Sequence, residues 1–165
     1  MKLKSTLTNR SGKILSVIYS EKDPLIGLEG KILQGVHAFC FWGNHMVLVH
    51  HPKSGWMPPG GGIERNENYI EATLREVKEE TNMKVTYLKT IGFQDTYEPG
   101  KVVRQVRNFC LVEPCGDFTS DPDGEIMEIK LIRPEDYKQY FDWGEIGDRI
   151  MTQALKYKSK IAGIL

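Results

Sequence analysis

The sequence predicts an α/β fold: a mixed β-sheet with helices on both of its faces. Three observations lead there. Short apolar runs bounded by Gly, Pro, Asn and Asp recur before and after the middle of the chain, and these read as strands. One long helical pattern interrupts them near residues 67–82, and a second closes the chain. Strands broken by one helix and ended by another place the helices on opposite faces of a shared sheet. With 165 residues and 40% hydrophobic content, residues 1–165 read as a single domain able to bury a sizeable core.

Taken in order, a polar N-terminal segment carrying Lys2, Lys4, Arg10 and Lys13 contains one apolar patch, Ile14 to Tyr19. The chain passes Asp23 and Pro24 to a run from Val36 to Trp42. Gly43 and Asn44 then form a turn before Met46 to His50, which gives a strand pair. A proline- and glycine-rich loop, Trp56 to Gly62, leads into the first helix. Val85 to Phe93 is a strand, Glu98 to Lys101 supplies the Pro99 and Gly100 of a tight turn, and Val102 to Glu113 returns. After a polar loop from Pro114 to Gly124, Ile126 to Ile132 forms the last strand. Pro134 opens a short helix at its preferred first position. Ile146, Ile150, Ala154 and Tyr157 give the final helix its inward stripe.

Lys plus Arg and Asp plus Glu each number 22, so there is no global basic signal for nucleic acid. Any attraction for phosphate must be local. No apolar stretch is long enough for a signal peptide or a membrane span, so the expected location is the cytoplasm. Cys40, Cys110 and Cys115 are odd in number and form no metal-knuckle pair, which predicts reduced thiols. His37, His45, His50 and His51 have no ligand spacing; packing and surface roles are expected, with His50 or His51 nearest the glycine loop.

The chemistry is concentrated between Gly61 and Met83. Five residues separate Gly61 from Glu67 and seven more precede Arg75, Glu76, Val77, Lys78, Glu79 and Glu80. At ~100° per helical residue, Glu76, Glu79 and Glu80 share one arc. Ile70, Leu74 and Val77 form an i, i+4, i+7 stripe expected to face the core beside it. Three carboxylates so close raise one another's proton affinity unless a cation lies among them, and oxygen-only ligation suits a hard divalent ion shared with phosphate. The plainer reading is a solvated acidic face paired with Arg75 and Lys78. Against it stands the preceding loop, Trp56 to Gly62, which demands backbone-permissive residues just where the chain enters the helix.

Gly61, Glu67, Arg75, Glu76, Val77, Glu79, Glu80 and the apolar Met83 together resemble the signature of the Nudix hydrolases. Asn82 replaces the glycine near its end, and Asn is the residue that best tolerates a left-handed helix terminus. Asn66, before the first glutamate, is expected to cap the helix. The resemblance implies a Nudix-like α/β/α sandwich with a central mixed β-sheet. It also implies a hydrolase cleaving a phosphate anhydride in a nucleoside diphosphate linked to another moiety, with Mg2+ or Mn2+ as cofactor. Glu76, Glu79 and Glu80 would hold the metal with the Gly60 carbonyl, and Glu67 and Arg75 would brace helix and loop.

Outside the signature, Glu125 precedes the last strand as a fourth ligand or base, with Glu128 and Glu98 as rivals; Glu76 is the other candidate base. Trp56 is placed to stack on a nucleobase, and Tyr97 has a weaker claim. Strand alternation sets Arg104 and Arg107 on opposite sides, and Arg104 is the expected phosphate contact. A homodimer through the apolar tail, Ile161 to Leu165, is a further expectation. Two other functions compete: an RNA 5′-end pyrophosphohydrolase using Lys156, Lys158 and Lys160, and a nucleotide-binding module without turnover. The intact acidic triplet argues against the second.

Overall fold

Strand β3 (Ile32–Trp42) organises the sheet because its side chains alternate without a polar interruption from Ala38 to Phe41. In the computed structural model, which describes residues 1–119, 121–126 and 128–163, Ala38 and Cys40 face one side with Val47, Cys110, Val112 and Val77. Phe39 and Phe41 face the other, with Met46, Leu48, Phe109, Ile150 and Ala154. Each fully buried large side chain of this kind stabilises the fold by about 1.5–3 kcal/mol, so the sheet is fixed from both faces.

The remaining strands are β1 (Lys2–Thr8), β2 (Ile14–Ser20), β4 (His45–His51), β5 (Gly55–Met57), β6 (Gly60–Gly62), β7 (Met83–Glu98), β8 (Lys101–Pro114) and β9 (Glu128–Ile132). They run β1-β2-β7-β8-β3-β4-β5, with β6 on β3 and β9 on β4. Only β3 and β8 pair in parallel; the other pairs are antiparallel. Helix α1 (Tyr69–Thr81) packs over β3, β6, β7 and β8, and helix α2 (Gly144–Ala162) packs on the phenylalanine face. The expected mixed sheet between helices is the fold observed. No described helix is long and apolar enough to cross a membrane.

Several local expectations change. The N-terminal segment is strand β1 rather than plain polar chain. Its Leu3 and Leu7 pack on the core edge, while its other side chains are exposed, apart from half-buried Ser5. Asn68, not Asn66, caps α1, in a reciprocal capping box with Glu71, while Asn66 takes a left-handed φ of 67°. Ile70 and Leu74 are each 42% exposed. The buried face of α1 is instead Ala72, Thr73, Glu76, Val77, Glu80 and Thr81, because only small or hydrogen-bonding side chains fit the close approach to β8, where the buried Asn108 amide donates to Thr73 Oγ1. The last strand begins at Glu128, and Met127 lies outside the described residues. Ile161 packs against the core cluster, and Ile164 and Leu165, the end of the tail expected to dimerise, also lie outside them.

Arg104 is buried on the α1 face of β8 and is fully committed. Its Nε and Nη2 hold Asp95 at 2.7 and 3.0 Å. Nη1 donates to the carbonyls of Pro24 and Ile26, and Nη2 also reaches that of Gly27. Lys31 Nζ completes the knot on Asp95 at 2.7 Å, and the guanidinium stacks 3.7 Å from the Phe93 ring centre. All five guanidinium N–H groups are used, so none is left for a phosphate; Arg104 is a structural pin for the 21–31 loop. Burial alone would raise the Asp95 carboxyl, but Arg104 and Lys31 outweigh it and hold that group below the usual range. We expect Arg104→Met to lower stability by about 3–5 kcal/mol, because it leaves Asp95 with Lys31 as its one remaining partner and strands three carbonyls. Urea denaturation measures this, and a loss under about 1 kcal/mol would show that the knot is not what holds the loop.

Candidate active site

Glycines decide how closely the loop can approach the helix. Strand β6 pairs with β3 through Gly62–Gly35, Gly61–Val36 and Gly60–His37. A Cβ on Gly60 would strike the Val36 carbonyl and the His37 ring, and one on Gly61 would strike the Glu76 carboxylate. Glycine is therefore required by lack of space. The Gly60 N–H donates to Glu80 Oε1 at 2.7 Å. The helix thus points two carboxylates inward, onto the loop backbone.

Arg75 stands among the acids. It grips Glu67 with two bonds, Nε to Oε2 at 2.8 Å and Nη2 to Oε1 at 2.9 Å, and ties the loop through Nη2 to the Gly62 carbonyl. Its Nη1 is shared between Glu76 at 2.9 Å and Glu79 at 3.3 Å. These bonds push the Arg75 pKa up, and the Arg75 hydrogen bond pulls Glu67 below the usual carboxylate range. The other acids move the opposite way. Burial raises Glu76 and Glu79 despite Arg75, with Asp123 adding repulsion to both. Glu80 is pushed up to about 8, first by burial and then by Glu76, Asp121 and Glu125, against the opposing Gly60 bond.

The loop after β8 supplies these further acids. Asp121 is buried and accepts from the backbone N–H groups of Asp123 and Ile126. Asn82, left-handed with φ of 53°, ends α1 and holds the same loop: its Nδ2 donates to the Asp117 carbonyl and its own carbonyl accepts from Cys115 N–H. Glu125 is 65% exposed, with its Oε2 3.6 Å from His51 Nε2. Glu128 is an exposed residue of β9, and Glu98 pairs with Lys101 at the β7–β8 hairpin. Asp121 and Asp123 were not singled out from sequence, although the run Asp121-Pro-Asp-Gly-Glu125 is its own acidic signal.

Among the described residues no three Asp, Glu, His or Cys groups converge closely enough to form a ligand set as they stand. The donor chemistry nonetheless suits a hard cation: oxygen ligands, in mutual repulsion, against a backbone with no room for a side chain. Releasing Arg75 Nη1 would free Glu76 and Glu79 while the two-bond grip on Glu67 kept the arginine in place.

On the opposite face of β3 lies a cavity of about 530 Å³, lined in part by His37, Met57, Gln94, Gln105, Arg107 and Trp143. Trp56 does not line it. The half-buried Trp56 indole makes edge contacts with His50 and Tyr140, and Lys130 Nζ lies 4.8 Å from its ring centre. Trp143, Arg107 and His37 line the cavity, and neither Trp56 nor Arg104 does. Alternation predicted two sides for the arginines but could not say which side holds the cavity. Tyr97 is an exposed residue of β7, paired with Val102.

The NUDIX domain model matches residues 32–154. Over 78 residues the chain is 40% identical to a protein named as a putative 8-oxo-dGTP diphosphatase, YtkD, of Bacillus subtilis, covering 47% of this chain and 49% of that one. Over 83 residues it is 29% identical to Nudix hydrolase 6 of Arabidopsis thaliana, covering 50% and 29%. The chain thus spans about half or less of the length of these curated relatives. The crystal structure of the Bacillus subtilis pyrophosphohydrolase BsRppH superposes with a TM-score of 0.71 at 24% identity, covering 93% of this chain and 97% of that one. The Nudix domain of Shewanella oneidensis NrtR, solved with ADP ribose, gives 0.60 at 17%, covering 76% and 88%. At those identities the likeness is one of fold.

Two outcomes follow from the geometry. Glu80 keeps its proton to about pH 8 when folded but loses it near 4.5 when unfolded. The folded state therefore binds the extra proton between these values, so the stability from this group is full below the lower value and lost as pH rises through the upper one. We expect the metal-free melting temperature to fall between about pH 5 and about pH 8, and the slope to be shallower in Glu80→Gln; equal slopes would exonerate Glu80. Gly61→Ala should displace Glu76 and reduce divalent-ion affinity by at least about tenfold in a folded protein, as read by calorimetry. Unchanged affinity would show that the loop backbone can retreat.

Proposed function

The chain belongs to the Nudix family, and from that membership we propose that it is a pyrophosphohydrolase of nucleotides, dependent on Mg2+ or Mn2+. Its substrate in this reading is a nucleoside diphosphate linked to another moiety, drawn from a cytoplasmic pool. One observation carries the proposal: α1 turns Glu76 and Glu80 inward onto a glycine backbone, where burial and mutual repulsion make both carboxyls hold a proton more tightly unless a cation takes its place. The names of the relatives, a putative diphosphatase and a pyrophosphohydrolase, support the same class of reaction.

Glu76, Glu79 and Glu80, with the Gly60 carbonyl, would hold the ion. When bound, such an ion neutralises a diphosphate and makes a water more acidic at neutral pH. Glu67 keeps Arg75 on the Gly62 carbonyl, so loop and helix hold their spacing while Glu76 and Glu79 exchange partners. Glu125, solvent-exposed beside His51, is free to take the proton of the attacking water. Glu76 would serve instead if it were the more weakly bound ligand.

Purified protein incubated with Mg2+ or Mn2+ and a panel of nucleoside triphosphates, nucleotide sugars, ADP-ribose, dinucleoside polyphosphates and triphosphorylated RNA tests this reading. We expect turnover of at least one nucleotide and a loss of at least about 100-fold in Glu79→Gln. No turnover of any member, with the variant indistinguishable from wild type, would sink the hydrolase. Glu125→Gln is expected to slow the reaction by about 10²–10⁴-fold; a normal rate would transfer the base to another group.

A further inference from the structure

Arg107 differs from Arg104 in one respect that matters: it is buried but not satisfied. Only 3% of it is exposed. Nη1 contacts His37 Nδ1 at 3.1 Å and Nη2 donates to Gln105 Oε1 at 3.3 Å. Nε has no partner among the described residues, and no carboxylate there pairs with this guanidinium. Burial lowers its pKa to about 10. Burial also keeps His37 neutral, so Nδ1 can accept the bond and the ring proton belongs on Nε2. A desolvated cation with spare N–H groups on a cavity wall needs an acceptor from elsewhere.

Two ligand groups could provide it: a phosphate, or the acceptor edge of a base. The walls favour the base. Arg107 is the only Lys or Arg on a lining otherwise built of Leu7, Val17, Met57, Trp143, hydroxyls and the amides of Gln94 and Gln105, and Asp142 even adds a negative charge. A polyphosphate would find too little positive charge there, whereas a flat, neutral, hydrogen-bonding ring matches both the walls and the volume. Position agrees as well. His37 lines the cavity and pairs with Gly60 through its backbone, so the cavity adjoins the strand that carries the glycine loop, on the face of β3 opposite the glutamates.

We propose that this cavity receives the base of the nucleotide and that Arg107 selects oxopurines, donating two hydrogen bonds to the adjacent O6 and N7 acceptors of guanine or hypoxanthine. Adenine places an amine donor where O6 would be and meets a guanidinium that has nothing to accept with. The inference rests on the nucleotide reading above but is read out by binding, without turnover.

The test is calorimetric titration of the full chain in EDTA with GMP, IMP, 7-deaza-GMP, AMP, CMP and inorganic diphosphate. GMP and IMP should bind at least about tenfold more tightly than AMP or CMP, and 7-deaza-GMP, which lacks the N7 acceptor, should lose roughly tenfold against GMP. Diphosphate should not displace GMP. Arg107→Met should level the purines; Arg107→Lys keeps a cation, loses the fork and should do the same if the Met variant fails to fold. Equal binding of GMP and AMP by wild type overturns the proposal, as does displacement of GMP by diphosphate, which would make Arg107 a phosphate contact. Failure to bind any monophosphate in a protein that hydrolyses nucleotides overturns it too, and leaves the hydrolase standing. A GMP preference without hydrolysis supports the pocket and removes the hydrolase.

Discussion

The closeness of β6 to α1 is the constraint on which the rest of this molecule depends. A backbone strand passes beside a helix that presents glutamates where most helices present leucines; at Gly61 only a hydrogen atom fits against the Glu76 carboxylate, and at Gly60 only a hydrogen atom fits against β3. The Gly60 N–H then answers Glu80, the Arg75 fork answers Glu67, and the Gly62 carbonyl closes the ring of contacts. Had Gly60 carried a side chain, β6 would have to part from β3; had Gly61 carried one, the Glu76 carboxylate would have to swing away from the turn of α1 where Thr73 accepts from Asn108. The site and the core packing of α1 are thus one structure.

The two buried arginines of β8 differ in how far the protein satisfies them. They lie three residues apart, on opposite faces, and are almost equally hidden from solvent. Arg104 spends every donor on the protein and binds a loop to the sheet. Arg107 keeps donors in reserve beside a cavity. A buried polar group left partly unpaired is costly to a fold, and such groups gather where a ligand completes them.

Much of this was legible in the sequence. The β3–β4 and β7–β8 hairpins followed from Gly43-Asn44 and Pro99-Gly100, and the phase of Glu76, Glu79 and Glu80 followed from helical geometry. What escaped has physical causes. β1 is an edge strand whose outward Lys2, Lys4, Thr6 and Thr8 hide its alternation. Ile70 and Leu74 point outward while Val77 alone of that stripe enters the core, since the rest of the inner face of α1 is acid, Ala72 and threonines. Trp143 and Arg107 could not be preferred over Trp56 and Arg104, because alternation assigns sides without saying which side is hollow. The acids of the 117–126 loop depend on Asn82 holding that loop against the helix end, a contact between residues 35 apart.

The parallel pairing of β3 with β8 has a consequence in time. His37 and Arg107 are 70 residues apart in the chain, yet they meet across that pair. Closing so long a loop is entropically unfavourable before any contact rewards it, and folds that rely on such pairings assemble slowly. The acidic helix lies wholly between the two strands in sequence, so it can form early and meet β3 and β6, which precede it, while its contacts with β8, the Asn108–Thr73 bond among them, wait for the far strand. The burial that raises the proton affinity of Glu76 and Glu80 is therefore complete only once the sheet has closed on the inner face of α1.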